Sequence, residues 1–313
     1  MRDLLGLPVD ASVHGATIDQ IIVIIHWLML VLFVGWGAFF IYSLVRFRKS
    51  RNPKADYAGV KSHASSYIEV AVALFEGVLL VGFAIPVWSN VWLKYPDPKE
   101  AVVIHVVAEQ FAWNVHYPGK DGKFGRRDIS LVSAENPLGL DRDDPDAKDD
   151  ITTINNLHVP VGKPVLIYLS SKDVIHSFSL PLLRVKQDAI PGQSIPVTFT
   201  ATMTVNQIRE QMKHTCSLGK LPKNLTAFVA STDYAGRDGS PILAKGDALS
   251  DEAIAKLSAA GITAIEITED TPAEIACAQL CGLGHYRMRG TLYLDSPEDF
   301  DKWLAEEAEY LGQ

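Results

Sequence analysis

Two long apolar runs near the N-terminus constrain the fold more than any other feature of this 313-residue sequence. The first extends from Ile21 to Val45 without a charged residue, and the second, from Ile68 to Trp92, has acids only at Glu69 and Glu76. A helix of about 20 apolar residues crosses the ~30 Å hydrocarbon core of a bilayer. The first run is too long for a signal peptide and has no basic start followed by a small-residue cleavage site. We therefore predict a hairpin of two retained transmembrane helices.

The segment between the two runs is short and basic. Cytoplasmic loops of membrane proteins carry an excess of Lys and Arg. We therefore place this loop in the cytoplasm, and the N-terminus and everything after about Leu93 on the outer, periplasmic face of the inner membrane. The basic residues are Arg46, Arg48, Lys49, Arg51, Lys54 and Lys61.

The chain beyond the second run is acidic. Residues 93–313 contain 22 Lys and Arg against 31 Asp and Glu, a balance of −9 beside the −8 of the whole chain. This excess argues against a nucleic-acid partner and suits a basic protein partner, although solubility alone explains it equally well.

The same region contains short runs rich in β-branched residues, such as the one at 101–119, and these runs are separated by the turn-forming residues Gly, Pro and Asp. This pattern is typical of an antiparallel sandwich or barrel. The segment at 141–150 contains six Asp, two basic residues and a Pro, which predicts a solvated loop. Residues from about 203 to 270 read as a small α+β insertion with its own core, and Ser296 precedes a helical pattern. We divide the chain into an outer-face segment at 1–17, a helix hairpin at 18–93, a β-domain at 94–202 and 271–296, the insertion at 203–270 and a C-terminal helix at 297–313.

The stretch CAQLCGLGHYRM at 277–288 concentrates four possible metal ligands: Cys277, Cys281, His285 and Met288. Zinc sites favour CxxC pairs and seldom use methionine, and a c-type haem needs CxxCH. A disulfide between the two cysteines stays possible in an outward-facing domain. Thiolates, imidazoles and a thioether together are the donor set of electron-transfer copper. Two bridging thiolates need a second imidazole from elsewhere, and His176 in the loop-like DVIHSF is the candidate.

DVIHSF, VKQDAIPG and C-x3-C-x3-H-x2-M together resemble subunit II of the haem-copper cytochrome c oxidases. The resemblance implies an all-β cupredoxin-like Greek-key barrel behind the two helices, and a dinuclear copper centre. Cys277 and Cys281 would bridge the two copper ions, and His176 and His285 would be their terminal ligands. Met288 would be a weak ligand to one copper, and the main-chain carbonyl of Gln279 a ligand to the other.

The resemblance also implies a function. Such a subunit takes electrons from cytochrome c and passes them to haem in subunit I, where oxygen is reduced to water with proton translocation. The chain would then be part of an enzyme without carrying catalytic residues itself. Its expected partners are subunit I, the other oxidase subunits, a c-type haem donor and the lipid bilayer.

Further residues match family positions. EQFAWNVHYPG resembles the aromatic stretch where electrons enter, with Phe111 at the family's tryptophan position and Trp113 as a second aromatic. Asp188 matches an acidic position near the donor docking face, and Glu69 the start of the proton-conducting K-pathway.

Three residues depart from the family pattern. Gln279 stands where a glutamate is usual, and since an amide is a weaker ligand than a carboxylate for a hard cation, this argues against magnesium at the subunit I contact. Glu76 stands where many relatives have proline, and an acid inside a span faces a neighbouring subunit or water. Cys216 has no counterpart and is interpreted as a buried thiol in the insertion.

Other functions are compatible with parts of the sequence. The alternative from another class is a membrane-anchored protein for copper delivery or assembly, which holds metal without passing electrons. A quinol oxidase subunit would have lost the copper ligands that are present here. A structural protein with a Cys277–Cys281 disulfide is the remaining possibility.

Overall fold

The computed structural model describes residues 3–54, 57–59 and 61–311. It divides into two compact units. The first comprises Ala16–Lys94 with the first residues of the chain, and the second comprises Pro8–Gly15 and the residues from Tyr95 onward.

The first unit contains two helices that are long and apolar enough to cross a membrane. Helix α1 spans Gly15–Arg46. The second helical segment is continuous over 29 residues, from Ala64 to Trp92. It is built from α2 (Ala64–Leu79), a π-helical turn (Leu80–Ala84) and α3 (Ile85–Trp92). The apolar side chains of both segments are mostly exposed, as expected of surfaces that face lipid or another subunit.

The two acids of the second segment lie at different depths. Glu69 is in the first turns of α2 and is exposed. Glu76 lies in the last turn of α2, just before the π-helical turn, and lines a cavity of about 240 Å³ with apolar side chains of both helices. Placing a carboxyl group among apolar side chains inside a bilayer costs free energy, so an acid at such a position usually has a functional role.

The second unit is built on two five-stranded sheets, one ordered β3-β2-β1-β5-β8 and the other β4-β15-β14-β6-β7. This is the cupredoxin-like β-domain predicted above. The first sheet consists of β1 (Val102–Glu109), β2 (Ala112–Tyr117), β3 (Ile151–Ile154), β5 (Pro164–Ser171) and β8 (Ile195–Thr200). The second consists of β4 (Asn156–Pro160), β6 (His176–Leu180), β7 (Val185–Ala189), β14 (Glu274–Cys277) and β15 (Arg289–Asp295).

Each sheet contains one parallel pair, β1 with β5 and β4 with β15, whereas the strand pattern had suggested antiparallel pairing throughout. Parallel neighbours need long connections, and here other strands of the domain lie between the two partners in sequence. Alternate residues of each strand face the shared core: β1 contributes Ile104 and Val106, and β2 contributes Trp113 and Val115.

The opposite face of β1 and β2 is covered by residues 118–150. His116, fully buried, contacts the carboxylate of Asp150 at 2.6 Å between Nε2 and Oδ2. The ring of His105, its cross-strand partner, stacks on Phe124. Asp150 is also fully buried, so the prediction of a solvated loop was wrong at that residue. Its burial depends on a histidine of β2, which the local composition does not reveal.

The insertion has a sheet and a core of its own. Its sheet is ordered β10-β13-β9, and α5 begins after the N-cap Ser250. Leu249, Leu257 and Ile265 are among the buried residues of a hydrophobic cluster separate from that of the two large sheets. The α+β insertion is therefore confirmed, while its residue limits stay a prediction. Its elements are α4 (Val205–Met212), β9 (His214–Ser217), β10 (Phe228–Ala230), β11 (Tyr234–Ala235), β12 (Pro241–Leu243), α5 (Asp251–Ala259) and β13 (Ala264–Glu269).

The chain closes with α6 (Pro297–Leu311), the predicted C-terminal helix. Ser296 precedes it and accepts a hydrogen bond from the N–H of Asp299, as an N-cap does. Trp303 stacks on His158, at 4.1 Å between ring centroids, and thereby packs the helix against the second sheet.

Candidate metal centre

Two segments that are far apart in sequence meet at one end of the β-domain. His176 is the first residue of β6 and Cys277 the last of β14. The two strands are antiparallel neighbours, with Cys277 opposite Phe178. The N–H of Ala278 donates to the carbonyl of Ser177 at 2.9 Å, which fixes the start of the cysteine loop beside the histidine. Sheet pairing therefore joins the two motifs that the sequence separates.

The loop after Cys277 folds back on itself before β15 begins. His285 opens a short 3-10 turn that ends at Arg287, and Met288 follows. The N–H of Cys277 donates to the carbonyl of Met288 at 3.3 Å, which closes the loop. The 12 residues thus present four side chains to a common centre.

The side chains form two similar halves around a pair of sulfur atoms. The Sγ atoms of Cys277 and Cys281 are 3.8 Å apart. Nδ1 of His176 lies 3.9 Å from the Cys277 sulfur, and Nδ1 of His285 lies 3.6 Å from the Cys281 sulfur. One further donor stands beside each thiol: the Gln279 carbonyl oxygen at 3.2 Å from Cys277 Sγ, and the Met288 sulfur at 3.8 Å from Cys281 Sγ. All six predicted ligands are therefore brought together.

The donor set fits copper. The ligand atoms of His176, Cys277 and Cys281 lie within 4.8 Å of one another. Thiol, imidazole and thioether donors together select copper rather than the hard cations. The two cysteines are free thiols, and their separation is far beyond the ~2.05 Å of a disulfide bond.

Asp173, three residues before His176, orients the imidazole. Nε2 of His176 donates to Oδ1 of Asp173 at 2.9 Å, which leaves the lone pair of Nδ1 facing the cysteines. Burial raises the pKa of Asp173, but hydrogen bonds from His176, Gln110 and Val174 outweigh it and hold that pKa below its usual value. The carboxyl group is thus ionised when it holds the ring.

Gln110 connects the two ligand segments. Its main-chain N–H donates to Oδ2 of Asp173 at 2.7 Å, and its side-chain amide donates to the carbonyl of Cys281 at 2.6 Å. Neither Asp173 nor Gln110 was among the predicted site residues. Asp173 could have been found because it lies only three residues before His176. The contact of Gln110 with Cys281 joins residues that are 171 positions apart in the sequence.

The buried thiol of Cys281 is protonated at neutral pH when no metal is bound. Burial, and then the neighbouring thiol of Cys277, raise its pKa to about 11. A metal must displace this proton, since the thiolate is the ligand.

The two aromatic residues predicted at the site of electron input differ in exposure. Phe111 is half-buried, and its ring lies so close to the loop that a Cβ on Gly284 would come within 2.3 Å of it. Trp113 is fully buried on β2, with its ring centroid 6.2 Å from that of His176.

The remaining predicted residues lie away from this cluster. Asp188 is exposed on β7, opposite Ser177 of β6. Glu69 belongs to the helical unit. Cys216 lies in the sheet of the insertion, opposite Ile265, and is half-buried, so the prediction of a buried thiol was wrong.

Known proteins are similar to this chain. Residues 102–216 match the family described as cytochrome c oxidase subunit II, periplasmic domain. This stretch includes His176 and ends before the cysteine loop. The alternative cytochrome c oxidase subunit 2 of Bradyrhizobium diazoefficiens is 26% identical over 297 residues, which cover 94% of this chain and 82% of the relative. The chain is therefore similar to cytochrome c oxidase subunit II, with the match to the family's periplasmic domain at residues 102–216.

Other subunit II relatives match over shorter shares of their length. Cytochrome c oxidase subunit 2 of Thermostichus vulcanus is 27% identical over 252 residues, covering 80% of this chain and 46% of the relative. That of Cereibacter sphaeroides is 27% identical over 199 residues, covering 56% and 62%. The chain thus spans less than two thirds of these two relatives.

Solved subunit II structures are similar as well. The periplasmic domain of subunit II from Bradyrhizobium japonicum covers 70% of this chain and 99% of its own, with 19% identity and a TM-score of 0.35. A mixed disulfide intermediate between a thioredoxin-like protein and subunit II gives 20% identity over the same shares, with a TM-score of 0.34.

These matches confirm the resemblance seen in the sequence. The expectation of a subunit of a cytochrome c oxidase complex agrees with these matches. A periplasmic-type domain joined to two apolar helices agrees with a membrane-anchored subunit.

Proposed function

We propose that this chain accepts electrons at a dinuclear copper centre and passes them to haem in subunit I of a haem-copper oxidase. The observation that carries the proposal is the pairing of the two halves: two thiols 3.8 Å apart, each with its own imidazole at under 4 Å. One copper ion needs only one such half. Two halves that share a sulfur pair suit two ions.

Each of the two sulfur atoms has two further possible donors beside it. His176 and the Gln279 carbonyl stand on the Cys277 side, and His285 and Met288 on the Cys281 side. When bound, two copper ions with shared thiolates supply a one-electron couple whose charge is spread over both metals.

The protein contributes a fixed and largely dry environment. His176 is fully buried, Cys281 is 4% exposed and Met288 is 1% exposed. Asp173 holds the His176 ring through Nε2, and Gln110 holds both Asp173 and the Cys281 carbonyl. Because the ligands are held by hydrogen bonds and packing, little has to move when one electron is gained or lost.

The donor is a c-type haem protein in this proposal, and oxygen reduction takes place in subunit I. Phe111 and Trp113 are proposed to lie on the path of electron input, and the stacking of Phe111 on the cysteine loop supports their nearness to the centre. Exposed Asp188 is proposed to steer a basic donor.

The orientation in the membrane is part of the same proposal. The basic loop after α1 is placed in the cytoplasm, and the copper domain on the periplasmic face of the inner membrane. Glu69, in the first turns of α2, is then near the cytoplasmic face and is proposed to start the K-pathway for protons.

Copper delivery is the competing function. A delivery site has to release its metal to a partner, whereas His176, Cys281 and Met288 are buried here. Burial therefore favours a resident metal and electron transfer. Copper that remains bound during incubation with a strong chelator is the expected result, and rapid loss would favour delivery.

The decisive experiment is copper loading of the purified full-length chain, followed by metal counting and electron paramagnetic resonance. We expect two copper ions that share one unpaired electron. Cys281→Ser should abolish the shared-electron spectrum, while Cys216→Ser, the matched control in the insertion, should preserve it. Zinc, a single copper ion, or survival of the spectrum in Cys281→Ser would contradict the proposal.

A further inference from the structure

A cavity of about 680 Å³ lies on the outer face of the first sheet, apart from the metal centre. The sheet contributes outward-facing side chains of β1 and β5, among them His105, Val107 and Tyr168. Residues between 127 and 138 and the turn at 192–194 provide most of the remaining lining. Cavities of roughly 300–1,000 Å³ that combine apolar walls with a few polar groups are typical small-molecule sites.

One part of the lining is apolar and partly open to solvent. It is formed by Val107, Ile129, Val132, Pro137 and Leu138. Ile129 is 91% exposed and Val132 is 40% exposed, so apolar surface is left in water at this place. The apolar body of a ligand would gain free energy by covering this surface.

The polar part of the lining includes the guanidinium group of Arg127. Among the described residues this group forms no hydrogen bond or ion pair, and Asp150 attracts it only from a distance. The neighbouring Arg126 differs, because it is paired with Asp141 and does not line the cavity. Arg127 is therefore available to bind an anion.

The other charges at the cavity are already engaged. Lys172 is paired with Glu109, and Asp128 accepts hydrogen bonds from the N–H and the hydroxyl of Ser130. A phosphate dianion would face these two acids with only Arg127 to balance it among the described residues. A carboxylate carries a single charge, and its two oxygens match two parallel N–H groups of a guanidinium. The charges therefore favour a monocarboxylate.

Uncharged polar groups surround the same space. The hydroxyls of Tyr168, Ser170 and Ser194 line it and form no hydrogen bond with a described residue. His105 is uncharged at neutral pH, because burial, above all, lowers its pKa to about 3. Its buried Nδ1 has no hydrogen-bond partner in the part of the chain that the structure describes. These groups can donate to a carboxylate or bond a ligand hydroxyl without adding charge.

We propose that this cavity binds a small organic monocarboxylate with an apolar or aromatic body. Arg127 holds the carboxylate, with the hydroxyls of Tyr168 and Ser170 as further donors, and the body lies against Val107 and Val132. No covalent bond forms or breaks. The site shares no residue with the proposed copper ligands, so the proposal does not rest on the copper function.

The test is calorimetric titration of the purified full-length chain in lipid nanodiscs with phenylpropionate, using empty nanodiscs as the blank. Phenylpropionamide keeps the body and lacks the charge, whereas acetate keeps the charge and lacks the body. We expect saturable binding of one phenylpropionate per chain and weaker binding of the amide and of acetate.

The variants separate the cation from the cavity. Arg127→Gln should weaken phenylpropionate binding roughly tenfold or more, as for a lost charge-assisted hydrogen bond, and leave phenylpropionamide binding unchanged. Arg126→Gln is the matched control on the next residue and should bind as the parent does. Ser170→Leu, which fills the cavity from β5, should lose both ligands. The thermal unfolding midpoint of each variant shows that it is folded.

Three results would overturn the proposal. The first is a parent chain that does not bind phenylpropionate saturably, and the second is equal binding of phenylpropionate and its amide. The third is folded Arg127→Gln that binds phenylpropionate as the Arg126→Gln control does. None of them bears on copper content or on the shared-electron spectrum, so the proposed function stands or fails separately.

Discussion

The side-chain amide of Gln110 donates a hydrogen bond of 2.6 Å to the carbonyl oxygen of Cys281, while the main-chain N–H of the same residue donates to Asp173. Since Asp173 holds His176, one residue fixes the relative position of two ligand segments that lie about a hundred residues apart in sequence. Gln110 touches neither of the two sulfur atoms in the described contacts, so its effect passes through the residues it holds.

Replacing Gln110 should loosen the centre without removing a ligand. In Gln110→Met the amide donor is lost at similar length, and in Gln110→Glu it becomes an acceptor opposite a carbonyl. We expect a fall in copper affinity of roughly 10–100-fold, the range for a lost outer hydrogen-bond partner, and broadened hyperfine structure. Gln193→Met, on an exposed side chain in the turn before β8, is the control. Unchanged affinity and spectrum in both Gln110 variants would exclude a bracing role.

Asp173 should affect copper affinity through the oxygen that accepts a hydrogen bond from His176. Asp173→Asn keeps an oxygen that accepts from Nε2 of His176, whereas Asp173→Leu leaves that N–H buried without a partner. We expect Asp173→Leu to bind copper more weakly than Asp173→Asn, by about 1–3 kcal/mol for an unsatisfied buried donor. Copper titration against a competing chelator measures the difference. Equal affinities for the two variants would show that the hydrogen bond does not orient the ring.

Copper binding should depend on pH through Cys281. The pKa of its thiol is raised to about 11 by burial and by Cys277, so below that pH a proton leaves when copper binds. We therefore expect the apparent affinity to increase as pH rises from 6 toward 9. Proton release on copper addition, followed with a dilute buffer and an indicator dye, checks the cause. A pH-independent affinity in this range would contradict it.

Acid should weaken the first sheet through His105. Burial first, and then electrostatic interactions with Arg127 and His116, lower the pKa of this histidine from 6.5 to about 3. Between pH 3 and pH 6.5 the unfolded chain therefore binds a proton at this histidine, whereas the folded chain does not. The contribution of His105 to the free energy of unfolding is complete above pH 6.5 and is lost as pH falls toward 3. His105→Phe should reduce the loss of stability between pH 7 and pH 5 in urea unfolding. An unchanged difference between the two pH values would contradict this assignment.

The insertion should be destabilised separately from the metal centre. Leu257 of α5 is fully buried in the separate cluster, and Leu257→Ala removes its side chain at a cost of about 2–5 kcal/mol. We expect faster hydrogen exchange in β9, β10 and β13, with copper content unchanged. Loss of copper in this variant would mean that the insertion supports the centre.

The clustering of the proposed ligands could be predicted because most of them are close together in the sequence. Cys277, Cys281, His285 and Met288 lie within 12 residues, and only His176 had to be joined from a second motif. The two apolar helices could also be predicted from the sequence, because an apolar run of this length is typical of a membrane-spanning helix.

What the sequence did not reveal depends on partners that are distant along the chain. The burial of Asp150 requires His116 from β2, and the bracing contacts of Gln110 require a loop that follows it by 171 residues. The exposure of Tyr286 follows from the shape of the loop, which lies over Phe111, and residue type alone does not encode that shape.

The pairing of β14 with β6 determines when the proposed metal centre can assemble during synthesis of the chain. The strand that carries Cys277 is synthesised 101 residues after the one that carries His176, a delay of roughly 5–20 s at ribosomal speed. Until then β6 has β7 on one side and an open edge on the other, which is a hazard for association with other chains. Before β14 is made, His176 has neither cysteine beside it, so the proposed copper centre cannot assemble until this strand has paired with β6.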